Sequence, residues 1–139
     1  MRVVRKTDRT ESNQCMWRSV KRNHPERDLQ IAVAQLLNAL PSIGYLGWFH
    51  PANGGSRDKR EARIFAALGV KPGVPDIIIV RPSKRSAMRA FIELKSDKGR
   101  LTPAQQAWHE ELRLQGWNGA VCRSLDEVIA ALKQWGYMR

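Results

Sequence analysis

The stretch Gly73-Val74-Pro75-Asp76-Ile77-Ile78-Ile79-Val80, followed by Phe91-Ile92-Glu93-Leu94-Lys95, decides how this chain folds. Ile77 to Val80 is a continuous β-branched run without alternation, so it reads as a strand buried on both faces and central in a sheet. Pro82 to Ala87 is a short basic turn. Arg89 to Lys95 then returns as a second apolar strand, which makes the two strands antiparallel neighbours. Residues two apart on a strand share a face. Glu93 and Lys95 therefore point together with Phe91, while Ile92 and Leu94 point the other way. Pairing brings Asp76, at the mouth of the first strand, toward Glu93.

A carboxylate entering a buried strand is costly unless a cation accompanies it. Taken singly, Asp76, Glu93 or Lys95 is most simply half of an ion pair at a sheet end. Taken together, two carboxylates and a lysine form a site for a hard divalent cation, and such oxygen donors select Mg²⁺ or Mn²⁺. Asp76, Glu93 and the backbone carbonyl of Leu94 are the donors this pattern offers. The metal polarises a phosphate oxygen and lowers the pKa of a bound water. Lys95, on the same face, orients that water and stabilises the negative charge that develops. Phosphodiester hydrolysis uses all three parts.

The totals agree. With 139 residues, 42% of them hydrophobic, the chain can build one domain with a core. No apolar run approaches the roughly 20 residues that span a bilayer, so no membrane partner is expected. The basic start Met1-Arg2-Val3-Val4-Arg5-Lys6 lacks a following apolar segment, so no secretory signal is expected. Cys15 and Cys122, the only cysteines, have neither disulfide-scaffold nor zinc spacing, which points to a reducing, cytoplasmic setting. Lys and Arg number 24 against 13 Asp and Glu, a formal charge of +11 that favours nucleic acid as partner.

Residues 1–24 read as a basic arm, solvated or phosphate-contacting, and residues 25–139 as the folded domain. His24-Pro25-Glu26 opens a first helix with Leu29, Val33, Leu36, Leu37 and Leu40 as its apolar stripe, and Pro41 ends it. Glu26 there suits the helix dipole, and Gln30 shares its face. Tyr45 to His50 reads as a strand and Pro51 to Gly55 as a loop, in which Asn53 suits a turn. Arg57 to Leu68 reads as a charged helix, burying Ile64, Phe65 and Leu68 and exposing Arg57, Lys59, Arg60 and Arg63. Lys98-Gly99-Arg100 makes a loop. Thr102-Pro103-Ala104-Gln105 starts a further helix, with Trp108, Leu112 and Leu114 helping to bury it. A short strand at Asn118 to Cys122 and a helix from Ser124 follow. The order α, β, α, β, β, α, β, α gives an α/β fold, a mixed β-sheet flanked by helices.

Pro75-Asp76, a spacer, and Glu93-Leu94-Lys95 resemble the signature of the PD-(D/E)XK nucleases. The surroundings resemble the VRR-NUC (virus-type replication–repair nuclease) branch. Glu26 to Gln30, Asn53-Gly54-Gly55, Gly73 to Asp76, Ile92 to Lys95, Lys98 to Gln105 and Gly116 to Ser124 match in order, across roughly residues 25–136. The length is similar to that of stand-alone, phage-type members. The resemblance implies a restriction-endonuclease-like core and Mg²⁺- or Mn²⁺-dependent DNA cleavage, on branched DNA such as four-way junctions, by a homodimer. It also makes Glu26 a further metal ligand and gives Gln105 a place beside the site, positioning the lysine or the substrate. Gln30, Asn53, Arg57, Lys98 and Arg100 are the candidates for contacting substrate. The competing readings are a non-catalytic basic nucleic-acid-binding module and a replication accessory subunit.

Overall fold

The computed structural model describes residues 24–52 and 58–139. The arm up to residue 23, and with it Asn53 and Arg57 in the 53–57 segment, lies outside the described residues. The elements follow the expected order: α1 (Pro25–Ala39), β1 (Trp48–Phe49), α2 (Lys59–Ala67), β2 (Ile77–Ile79), β3 (Ala90–Leu94), α3 (Pro103–Leu114), β4 (Asn118–Cys122) and α4 (Leu125–Trp135). The four strands form one mixed sheet in the order β1-β2-β3-β4. β1–β2 and β2–β3 are antiparallel, and β3–β4 is parallel across the α3 crossover. This is the α/β architecture of a restriction-endonuclease-like core.

Strand alternation sorts the two faces. Ile77, Ile79, Ala90, Ile92 and Leu94 join Val33 and Leu37 of α1 and Val128, Leu132 and Trp135 of α4 in one apolar core. Phe91 and Glu93 face α3 instead, where Phe91 meets the ring of His109. Phe91 is also paired with Gly119 across the parallel ladder, and a Cβ at Gly119 would overlap the Phe91 ring. The β2–β3 turn is tied to the far end of the chain: the Tyr137 hydroxyl donates to the carbonyl of Arg81 at 2.8 Å, and Ser83 Oγ donates to that of Trp135.

Three expectations are corrected. β1 covers only Trp48–Phe49 rather than Tyr45 to His50, because a turn closed by Gly47 N–H on the Gly44 carbonyl (3.1 Å) takes up Tyr45 and Leu46. Both side chains stand in solvent. α2 forms behind its Asp58 cap, whose side chain accepts the Glu61 N–H at 2.7 Å. It buries no residue, and Ile64 and Leu68 are 52% and 74% exposed, since no layer covers that side of the helix among the described residues. Leu114 is exposed at the C-terminal end of α3, and the buried residue of that helix is His109. Among the described residues no helix is long and apolar enough to cross a membrane.

Candidate active site

β2 and β3 carry Asp76 and Glu93 to the same end of the sheet. The register pairs Ile77 with Ile92, so Asp76, one residue before the strand, reaches the end of β3. There Asp76 Oδ2 accepts the Leu94 N–H at 2.8 Å. The same register, continued two residues, sets Leu94 opposite Pro75, which has no N–H to offer the Leu94 carbonyl. The regular β2–β3 pairing ends at Ile77 and Ile92, and beyond it the Leu94 N–H goes to the Asp76 side chain.

Glu93 is buried, 2% exposed, and its two oxygens are served differently. Oε1 accepts the Gln105 Nε2–H at 2.9 Å and lies 3.9 Å from Lys95 Nζ. Oε2 is buried without a hydrogen-bond partner among the described residues. Burial, then the charge of Glu93 and its side-chain hydrogen bond, pushes the Asp76 carboxyl up to about 6, against the downward pull of the Leu94 N–H and of His50. Two crowded carboxyls with one lysine nearby are short of positive charge.

Gln105 is held by its own helix start. Its Oε1 accepts the Thr102 N–H at 2.9 Å while Thr102 Oγ1 accepts the Gln105 N–H at 3.2 Å, a reciprocal capping box. With Oε1 engaged there, the amide is oriented so that its N–H₂ faces Glu93.

Glu26 comes from the other layer. α1 packs on the Ile92 face, and Glu26 Oε1 accepts the Ser96 N–H at 3.1 Å. The carbonyl of Ser96 accepts from the Arg123 guanidinium, which also donates to Gly99 O at 2.7 Å. Ser96 is therefore gripped on both sides, through its own N–H and its own carbonyl. Glu26 borders the site without joining Asp76 and Glu93 in a cluster: among the described residues no group of three or more His, Cys, Asp or Glu side chains is gathered closely enough to hold a metal ion. Gln30 lines a groove of about 840 Å³ together with Glu26, Trp48, His50 and Ser96. Lys98 lines an adjoining hollow with Lys95 and Arg123, and Arg100 is exposed farther along the same loop.

Two histidines escaped the reading of the sequence. His50 Nδ1 donates to the Asp76 carbonyl at 2.6 Å, a carbonyl being able only to accept. His109, 2% exposed, places Nε2 3.7 Å from Glu93 Oε2. The available signal for His109 was its spacing, four residues after Gln105 and so on the same helix face. His50 had no comparable signal beyond its place at the end of an aromatic stretch.

A family model described as the VRR-NUC domain matches residues 53–126, more than half of the chain. The match includes Asp76, Glu93, Lys95, Gln105 and His109 and leaves α1, with Glu26, outside it. A solved structure of a "VRR_NUC domain protein" is 26% identical, with a TM-score of 0.67 over 82% of this chain and 89% of that one. No curated protein matches the chain.

Proposed function

The chain belongs to the VRR-NUC family of the PD-(D/E)XK-like nuclease superfamily, and from that premise we propose a Mg²⁺- or Mn²⁺-dependent endonuclease that hydrolyses phosphodiester bonds in branched DNA, four-way junctions included. Family membership by itself supports a nuclease-type hydrolase. The observation that carries the finer reading is the Asp76–Glu93 pair. A buried carboxylate oxygen without a hydrogen-bond partner among the described residues, beside a second carboxyl whose pKa is raised by burial and then by its neighbour's charge, suits a divalent cation. The donor set is all oxygen, which suits Mg²⁺ or Mn²⁺.

Asp76, Glu93 and the Leu94 carbonyl would hold the metal, with Glu26 as a further donor. Glu26 already accepts the Ser96 N–H through Oε1, and a carboxylate has capacity for a second partner. When bound, the cation supplies Lewis-acid polarisation of a phosphate oxygen and a lowered pKa for the attacking water. Gln105 holds Glu93 in register with Asp76. Lys95 presents its ammonium beside the carboxylates, where it orients the water and offsets charge on the phosphate. Gln30, Lys98 and Arg100, with Asn53 and Arg57, are the proposed substrate contacts.

We assign residues 25–139 to the nuclease domain and residues 1–24 to a basic arm. The formal charge of +11 supports DNA as partner. Symmetry favours a homodimer at a junction, since two identical sites then address two related strands. A phage-type setting in the cytoplasm is part of the same proposal. One observation favours the alternative of a non-catalytic nucleic-acid-binding module or replication accessory subunit, namely that no three-carboxylate group is assembled among the described residues.

One experiment separates these readings. Purified protein is incubated with labelled duplex, flap, single-stranded and four-way-junction DNA, with Mg²⁺, Mn²⁺ or EDTA. Cleavage of branched substrates that EDTA abolishes is expected. Asp76→Ala, Glu93→Ala and Lys95→Ala each lower cleavage by about a hundredfold or more while binding persists. Binding without cleavage of any substrate supports the alternative.

A further inference from the structure

His109 is the buried polar group for which the proposed chemistry has no use. Both ring nitrogens lack a hydrogen-bond partner among the described residues. Its ring packs on Phe91 with centroids 4.9 Å apart and planes tilted by 57°, and the Arg113 guanidinium lies 5.5 Å from the other ring's centroid. A side chain that served only to fill this space would be better apolar, because an imidazole buried without partners forfeits its hydrogen bonds to water. The unpaired Nε2 lies 3.7 Å from another unpaired buried atom, Glu93 Oε2.

From this pairing of two orphans we propose that His109 is a positioning residue for Glu93, its Nε2–H directed at Oε2. Gln105 and His109, one turn apart on α3, then address the two oxygens of one carboxylate. Gln105 is already in place at 2.9 Å on Oε1. His109 needs a movement of roughly 0.8 Å to reach ordinary N–H···O length, and no partner among the described residues holds it back. The helix thereby fixes both the position and the rotation of the carboxylate. The geometry stands independently of any metal; its consequence for metal affinity rests on the metal-centre reading above. Outer partners of ligating groups typically alter metal affinity by about 10- to 100-fold.

The test compares His109→Phe, which keeps the ring against Phe91, with His109→Gln, which keeps an N–H donor. Mn²⁺ binding to the purified proteins is measured by calorimetry. His109→Phe is expected to bind Mn²⁺ at least about tenfold more weakly, and His109→Gln to recover most of that loss. Folded His109→Phe with wild-type affinity overturns the proposal. A second measurement needs neither metal nor a His109 variant: the ¹⁵N resonances of His109 in metal-free protein, with and without Glu93→Gln. A protonated Nε2 that shifts on the substitution supports the contact; an unprotonated or unmoved Nε2 overturns it. Should the wild type bind no Mn²⁺, the metal-centre reading fails, and the resonances alone decide the His109–Glu93 contact.

Discussion

Asp76 sets a pH dependence for the metal-free protein. Its carboxyl is raised to about 6 by burial and by Glu93, so the folded state holds this proton more tightly than the unfolded chain does. Its stabilising contribution is complete below the unfolded pKa, near 4, and is lost as pH rises through about 6. In EDTA, the melting temperature is expected to carry a component that falls between about pH 4 and pH 7, and Asp76→Asn to remove it. A melting curve whose pH dependence is identical in the variant would refute the shift. At this scale the sequence was informative where one short rule sufficed. Strand parity placed Glu93 and Lys95 on one face, and their 3.9 Å separation agrees. His109 was illegible for the opposite reason. Its neighbour Trp108 is the more apolar of the two and reads as the buried one, whereas the structure packs His109 against Phe91.

The start of α3 does two jobs at once, capping a helix and aiming a side chain. Thr102→Ala removes the hydroxyl half of the capping box and is expected to lower stability by about 1 kcal/mol. It leaves the Thr102 N–H to orient Gln105, so cleavage by the folded variant should stay near wild type. Gln105→Ala removes the other half of the box together with the bond to Glu93. It should lower turnover far more than its loss of stability explains, as urea melts and single-turnover rates can establish. If the two variants lose turnover in proportion to stability, the helix start only supports the fold. The start signals of α1 (Pro25 with Glu26 and Asp28) and the caps of α3 and α4 lie in nearby residues, and these elements were legible. β1 and α2 were less so. The turn through Gly44 and Gly47 consumes residues with strand-like composition. The apolar side chains of α2 read as a buried stripe although nothing among the described residues packs over Ile64 or Leu68.

For the molecule as a whole, the excess of basic residues would make the proposed DNA binding an electrostatic event. Asp76→Asn protein in EDTA is expected to bind junction DNA about a thousandfold more weakly at about 200 mM salt than at about 50 mM, as proteins contacting on the order of six phosphates do. Binding insensitive to salt would remove charge as the driving force. The order and class of elements were legible because apolar runs and caps alternate clearly along the chain. Their convergence came from the family resemblance and not from periodicity or caps, because the meeting of α1 with the end of β3 spans seventy positions of sequence. That meeting has a mechanical side. Ser96 is held by Glu26 through its N–H and by Arg123 through its carbonyl, so one residue links the first helix to the exit of the last strand. A displacement of α1 against β4 would be carried to Ser96 through these two bonds. The residue next to Ser96 is Lys95, so the lysine shares the anchoring that Glu26 and Arg123 give its neighbour.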